Sequence, residues 1–166
     1  KLFAILQMTY VGAPMIYYGD EVGMWGANDP DCRKPMVWDD IKYDPEVYNP
    51  DGSKRPAPEE VSVNHDLLAH YKKLIAIRNA HPALRRGGFE TLIADDEYRP
   101  GVFGFKRDID GEEIYVFVNN SREKVSFPFT HGIKFRDILN DKDVTFSASY
   151  NLLEIPPMWG NILVKK

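Results

Sequence analysis

Cysteine is nearly absent from these 166 residues: Cys32 stands alone, so no intrachain disulfide can form and a disulfide-stapled scaffold is excluded. A single thiol leaves the compartment open between cytoplasmic, periplasmic and secreted, because large periplasmic enzymes often need no disulfide. No apolar run approaches the ~20 residues of a membrane-spanning helix, so no membrane partner is expected. No leader sequence is visible either, and with Lys1 as the first residue targeting is not read from this chain. Basic charge is not in excess. Lys and Arg number 21 against 25 Asp and Glu, for a formal net charge of −4. The two signs are interspersed, which speaks against a nucleic-acid partner, and short runs such as Lys72-Lys73 and Arg85-Arg86 read as solvated faces. The four histidines, His65, His70, His81 and His131, lack metal-ligand spacing. Asn28, Asp29 and Asp31 offer oxygens but match no calcium-loop pattern. Internal repeats and low-complexity segments are missing too.

What is present is a globular composition, with 43% hydrophobic and 28% charged residues. Lys1 to Tyr10 has no helix breaker and is apolar on nearly every side, as a helix buried between layers of a larger protein would be. Val11-Gly-Ala-Pro14 breaks it. Met15-Ile-Tyr-Tyr18, closed by Gly19, reads as a short strand buried on both faces, the kind found in parallel sheets. Residues from Asp20 to about Asn64 are rich in Pro, Asp and Asn and predict one long loop of little regular structure. A helix is predicted from about His65 to Ala80, capped by Asn64, with Leu67, Leu68, Tyr71, Leu74 and Ile75 at helical spacing. His81-Pro82 ends it.

From Gly88 the period becomes strand-like. Strands are predicted at 89–93, 102–106, 113–118, 124–127, 134–139, 144–146, 152–155 and 161–164, separated by turn formers such as Asp110-Gly111, Asn119-Asn-Ser121 and Asn140-Asp141. Short strands this closely spaced suggest an antiparallel sandwich. The domain boundary falls between Ala83 and Gly88.

The most specific stretch is Gly12-Ala-Pro-Met-Ile-Tyr-Tyr-Gly-Asp-Glu-Val-Gly-Met24, followed by Asn28-Asp-Pro-Asp-Cys-Arg-Lys-Pro-Met-Val-Trp38. It resembles the eighth strand of the (β/α)8 barrel of α-amylase-family glycoside hydrolases and the loop leaving it, in the form typical of neopullulanases and cyclomaltodextrinases. Tyr71-Lys-Lys-Leu-Ile-Ala-Ile-Arg78 and His81-Pro-Ala-Leu-Arg85 are similar to the family's last barrel helix and its exit. The resemblance implies an α+β chain: residues 1–84 as the last strand, substrate loop and helices of a TIM barrel, and residues 88–166 as the all-β antiparallel sandwich often called domain C. In such barrels the site is built from loops at the C-terminal ends of the strands, which places the segment after Gly19 on the active-site face.

The same resemblance implies that Asp29 and Arg33 hydrogen-bond a glucose unit of the substrate, one place beyond the cleaved linkage on the non-reducing side. A carboxylate and a guanidinium together accept from and donate to sugar hydroxyls. The alternative is a local ion pair that stiffens the loop, and the two roles can coexist. Trp25, in the same loop, is a candidate stacking platform; Tyr17, Tyr18 and Trp38 read as core aromatics. Asp20-Glu21 reads as a structural pair that bonds backbone amides or a basic partner.

Retaining glycoside hydrolysis needs two carboxyl groups about 5–5.5 Å apart, and the family draws its nucleophile, acid/base and supporting carboxylate from earlier barrel strands. Asn64-His65-Asp66 matches three letters of the third-strand signature but opens a helix, so no catalytic role is transferred. No catalytic residue is therefore assigned, and the chain alone is expected to be inactive. The expected function is the C-terminal portion of an enzyme that cleaves α-1,4 glucosidic bonds, with α-1,6 bonds left open as a second linkage. No organic cofactor is implied; a calcium ion is allowed in the parent enzyme but has no ligands assigned here. One strand and two helices cannot close a barrel, so residues to about 80 are expected to be partly disordered or to self-associate, while the sandwich folds by itself. The alternative is a non-catalytic carbohydrate-binding or packing module whose platform would draw on Tyr98, Phe103, Tyr115 or Trp159.

Overall fold

The computed structural model describes residues 1–24, 26, 29, 31–94, 101–130, 134–146 and 151–166. Its elements, in chain order, are α1 (Leu2–Thr9), β1 (Glu46–Tyr48), β2 (Lys54–Glu59), α2 (His65–Ala80) and α3 (Pro82–Arg86), then β3 (Glu90–Ala94), β4 (Val102–Ile109), β5 (Glu112–Asn119), β6 (Val125–Pro128), β7 (Lys134–Asp137), β8 (Lys142–Thr145), β9 (Leu152–Ile155) and β10 (Trp159–Lys165). This is a mixed α/β chain whose sheets are antiparallel. It divides into two compact units. One joins Lys1–Pro14 to Lys73–Lys166, and the other is Met15–Lys72.

In the first unit, six strands form one sheet in the order β3-β4-β5-β10-β7-β8, and β6 pairs with β9 in a second, two-stranded sheet. The β4–β5 hairpin closes on Asp110 and Gly111, with φ of 50° and 88°. Two consecutive positive φ values define a two-residue turn whose twist matches the strands, and Asp-Gly supplies both at low cost. Alternation along β5 then sorts the side chains to two faces. Tyr115 and Phe117 enter a core shared with Phe127 of β6, Leu153 and Ile155 of β9, and Phe129 and Phe135. Phe129 is its hub, with ring centroids 5.5 Å from Tyr115, 5.7 Å from Phe117 and 5.2 Å from Phe135, each near edge-to-face. That geometry sets positive ring edges against negative faces. Gly104 of β4 lies opposite Phe117, and a Cβ there would sit 2.4 Å from its ring, so only glycine admits the aromatic.

Ile114, Val116 and Val118 occupy the other face of β5 and are also buried. Here α1 and α3 pack on the sheet. A Cβ built on Gly160 of β10 would lie 3.3 Å from Val118 and 3.6 Å from Ile5, which shows how closely α1 approaches. So α1 is covered on one side, through Ala4, Ile5, Met8 and Thr9, while Phe3 is exposed. The expectation of a helix buried all round is corrected to that extent.

Two arginines secure the end of α1. Arg107, 1% exposed, donates to the carbonyls of Thr9, Leu84, Gly87 and Gly88 at 2.8–3.1 Å. Arg78 donates to Met8, Tyr10 and Gly12. Carbonyls at helix ends lack intrahelical partners and carry partial negative charge, so a buried guanidinium satisfies them. Burial, and secondarily a neighbouring arginine, lowers both guanidinium pKa values, yet arginine remains protonated. Along α2 the buried positions are His70, Tyr71, Leu74, Ile77 and Arg78, whereas Ile75 is exposed. The predicted stripe keeps Tyr71 and Leu74 but takes Ile77 in place of Ile75, with Arg78 inward beside it.

Three local expectations differ from the structure. Met15–Tyr18 forms no strand and ends in a turn at Tyr18, and Met15, Tyr17 and Tyr18 are exposed. A parallel strand exists through hydrogen bonds to neighbours on both sides, and among the described residues no sheet includes this segment. The long loop is not irregular throughout, since β1 and β2 form a hairpin within it. Its turn is fixed by Asp51, which accepts from the Ser53 amide at 2.9 Å, and by Gly52 at φ 80°. Finally, Pro82 starts the short α3 instead of only ending α2: its missing N–H is no loss at a first helical position.

Candidate functional site

The loop that follows Tyr18 is shaped by two left-handed glycines, Gly19 at φ 92° and Gly23 at φ 76°, flanking a 3-10 turn over Asp20–Val22. At Gly19 a side chain is excluded twice, by φ and by the Met24 sulfur, which would lie 2.7 Å from a Cβ. Glu21 accepts the Gly19 amide at 2.9 Å, the structural role read for the Asp20-Glu21 pair. The Met24 amide returns to the Gly19 carbonyl at 2.9 Å, and the Val37 amide points at the Met24 sulfur at 3.3 Å. Farther along, the Tyr18 hydroxyl donates to the Lys34 carbonyl at 2.7 Å. Loss of surrounding water and then the neighbouring Tyr17 raise the Tyr18 phenol pKa, which keeps it a donor at neutral pH.

On this framework a second 3-10 turn, Asp31–Arg33, presents Arg33. The Arg33 guanidinium lies 2.5 Å from the Asp29 carboxylate, with the two side chains 63% and 68% exposed. The pair anticipated from the sequence is therefore formed. At this exposure its contribution to stability is about 0–1 kcal/mol, so it does not hold the loop, and its unused oxygen and N–H groups face solvent. Trp25, the third candidate, lies outside the described residues, as does Asn28. Cys32 is exposed, with its sulfur 3.9 Å from the Asp29 carboxylate.

The sequence did not announce the ion pair between Lys34 and Glu46, which ties the loop to β1. The hydrogen bond from Lys34 is the main cause of the lowered pKa of Glu46, against opposing desolvation. No spacing rule joins residues twelve apart in an irregular segment, so only the hairpin at 46–59, itself missed, could have revealed it. The Tyr43 hydroxyl accepts the Trp38 amide at 2.9 Å and donates to the Met36 carbonyl at 3.0 Å. Asn64 accepts the Leu67 amide at 2.9 Å, the N-cap predicted for α2, and His65 pairs with Asp39 at 3.0 Å. These bonds give Asn64-His65-Asp66 a structural use.

The other aromatic candidates separate. Tyr17 and Tyr18 lie 4.9 Å apart and exposed, and Trp38 is 56% exposed, so none is a core residue among the described contacts. In the β-rich unit Tyr115 is buried in the core, with its hydroxyl 2.7 Å from Glu113, and cannot be a sugar platform. Trp159 donates to Asn140 at 2.8 Å, within a network in which Asn140 and Asn161 both donate to the buried Asp137 at 2.8 Å. Phe103 meets the rings of Phe105 and Tyr10 in tilted contacts, while Tyr98 lies outside the described residues. Among the described residues no group of three or more His, Cys, Asp or Glu side chains is arranged to hold a metal ion.

Comparison with known proteins places this geometry. The family model for the α-amylase catalytic domain matches residues 1–87. A cyclomaltodextrinase from Geobacillus thermopakistaniensis (strain MAS1) is 40% identical over 98% of this chain, and neopullulanase 2 from Thermoactinomyces vulgaris is 34% identical over 98%. The chain spans about a quarter of the length of these curated relatives, 24% and 25%. Among solved structures, the maltogenic amylase from S. marinus superimposes with a TM-score of 0.68 at 28% identity, over 99% of this chain and 19% of that one. With a catalytic-domain match over more than half its length, and with the Gly19–Arg33 loop inside that match, the chain belongs to the α-amylase family.

Proposed function

We propose that this chain is the C-terminal portion of an α-glucan-acting glycoside hydrolase, one that cleaves α-1,4 and in part α-1,6 glucosidic bonds with retention. Residues 1–84 would be the last part of its TIM barrel, with Asp29, Arg33 and Trp25 holding a glucose unit of the substrate. Residues 88–166 would be the appended β-sandwich. The catalytic carboxylates would lie in parts of the enzyme outside these residues, on earlier barrel strands. The observation that carries this reading is the solvent-facing Asp29–Arg33 pair on a loop inside the catalytic-domain match. Relatives named cyclomaltodextrinase and neopullulanase supply the substrate class.

The chemistry follows from that division of labour. Asp29 and Arg33, paired four residues apart beside the second 3-10 turn, set a carboxylate lone pair and guanidinium N–H groups side by side toward solvent. A sugar ring meeting them is positioned without further ordering of the loop. Double displacement through a glycosyl-enzyme intermediate then needs the two carboxyl groups of the rest of the enzyme. No organic cofactor enters, and any calcium ion belongs to the parent. Exposed Met15, Tyr17 and Tyr18 suit an edge that neighbouring barrel strands cover, or through which isolated copies self-associate.

The test measures maltotriose binding and release of reducing sugar from pullulan and cyclodextrins. The isolated chain should bind maltotriose and release no reducing sugar. Asp29→Ala and Arg33→Ala should each weaken binding about tenfold, the loss of one hydrogen bond to a charged group. Wild-type binding retained in both variants would remove the role given to the pair, and hydrolysis by the chain alone would remove the assignment of the carboxylates elsewhere.

A further inference from the structure

Within the Met15–Lys72 unit a cleft of 490 Å³ opens between the loop and the β1–β2 hairpin. That volume lies within the range of small-molecule sites. Its apolar part is made by Val22, Met24, Val37 and Val61, and its polar part by Lys34, Tyr43, Ser62 and Asn64 together with four carboxylates. Val22 and Val37 are 4% and 5% exposed, so this wall is anchored.

The charges decide what the cleft can take. Asp44, Glu46, Glu59 and Glu60 face a single ammonium, Lys34. Lys34 is engaged by Glu46, and Glu59 by Arg55. Asp44 and Glu60 are exposed and take part in no ion pair among the described residues. The surplus is negative, which repels phosphates, carboxylates and other anions. A divalent cation would need converging ligands, and among the described residues no three acidic groups are so arranged. A neutral ligand rich in hydroxyl donors, with C–H faces for the valine wall, satisfies both surfaces: carboxylates are acceptors only.

We infer that this cleft is a second glucan-binding pocket, which takes sugar units of the chain whose neighbouring unit is held by Asp29 and Arg33. The inference rests on the proposed function and extends it to Asp44, Glu59, Glu60, Val61 and Ser62, which lie outside the motif stretches. Continuity supports it, because Lys34 lines the cleft and directly follows Arg33, and its carbonyl is fixed by the Tyr18 hydroxyl. Asp44 and Glu60 would accept sugar hydroxyls.

The experiment titrates the isotope-labelled full chain with maltotriose, and separately with calcium chloride and inorganic phosphate, following backbone amide resonances. The Asp44→Asn, Glu60→Gln double variant changes two exposed side chains, and resonance dispersion confirms its fold. Maltotriose should shift the amides of Val61, Ser62 and Asn64 as well as those of Asp29 and Arg33. The double variant should weaken the cleft response about tenfold. Shifts confined to Asp29 and Arg33 would overturn the pocket and leave the proposed function intact. Cleft shifts without loop shifts would keep the pocket and remove the role of the pair. A cleft response to calcium or phosphate in place of maltotriose, or no response in a folded chain, would also overturn the inference.

Discussion

Among the described residues between Met15 and Lys72 the buried hydrophobic side chains are Val22, Val37 and Tyr71, while Met15, Tyr17, Tyr18, Trp38, Ile41, Val47 and Tyr48 are exposed. In the β-rich unit the proportion is reversed: both faces of β5 are covered, and Phe105, Phe117, Phe129 and Phe135 are each at most 1% exposed. Hydrophobic burial is the main drive to fold, so the β-rich unit carries its own stability. The loop unit is held differently, by backbone hydrogen bonds, left-handed glycines and polar ties such as Lys34–Glu46. A region built in this way can present side chains to a ligand, because few of them are consumed by a core.

That contrast breaks first where it is strongest. Phe117→Ala should destabilise the β-rich unit by about 3–5 kcal/mol, the cost of a large buried aromatic truncation, and urea unfolding monitored by circular dichroism measures it. Gly104→Val should act through the same ring, as overpacking instead of a cavity. An unchanged urea midpoint in both variants would end the claim that the Phe117 side of β5 sustains this unit.

Arg107→Leu comes next. It leaves carbonyls at Thr9, Leu84, Gly87 and Gly88 without their buried donor, and should cost about 3 kcal/mol, with faster amide exchange in α1. Arg107→Lys should recover less than half, because one ammonium cannot span four carbonyls that a planar fork reaches. In the loop unit the matching substitution, Arg33→Ala, removes an exposed pair and should change the unfolding free energy by no more than about 1 kcal/mol. The same charge type is therefore buried and structural in one region and solvent-exposed in the other.

These differences explain what the sequence could disclose. Strand periodicity from Gly88 onward was legible because a half-buried strand writes its alternation into adjacent residues, and Asp110-Gly111 announces its turn through the φ it permits. The loop motif disclosed its family, and Asp29 and Arg33 with it, because four-residue spacing is local. Arg107 was hidden: its partners are backbone carbonyls up to 98 residues away, which leave no trace in side-chain patterns. The 46–59 hairpin was hidden as well, since its strand Lys54–Glu59 carries two prolines and exposed charges, a composition that reads as loop. Met15–Tyr18 shows the opposite failure. Its apolar run spells a buried strand, and the partners that would make it one are not among the described residues.

The smallest expected effect compares the two units in acid. Glu46 has a pKa lowered chiefly by the hydrogen bond from Lys34, and Glu113 one lowered chiefly by that from Lys165 and then by Tyr115. A carboxyl whose folded pKa lies below its unfolded value of about 4.3 binds fewer protons when folded. Its stabilisation is thus complete above that unfolded value and is lost as pH falls through the lower folded pKa. In the β-rich unit the loss of the Glu113 contribution is set against a full aromatic core; in the loop unit Glu46 is one of few ties between loop and hairpin. Amide exchange measured from pH 5 down to pH 3 should therefore show protection in β1 and β2 falling before that in β5 and β10. Lys34→Met should flatten the pH dependence of the hairpin by removing the partner that lowers Glu46, and leave that of β5 unchanged. Equal acid sensitivity of the β1–β2 and β5–β10 pairs, with or without Lys34, would mean that the loop unit is held by something other than its polar ties.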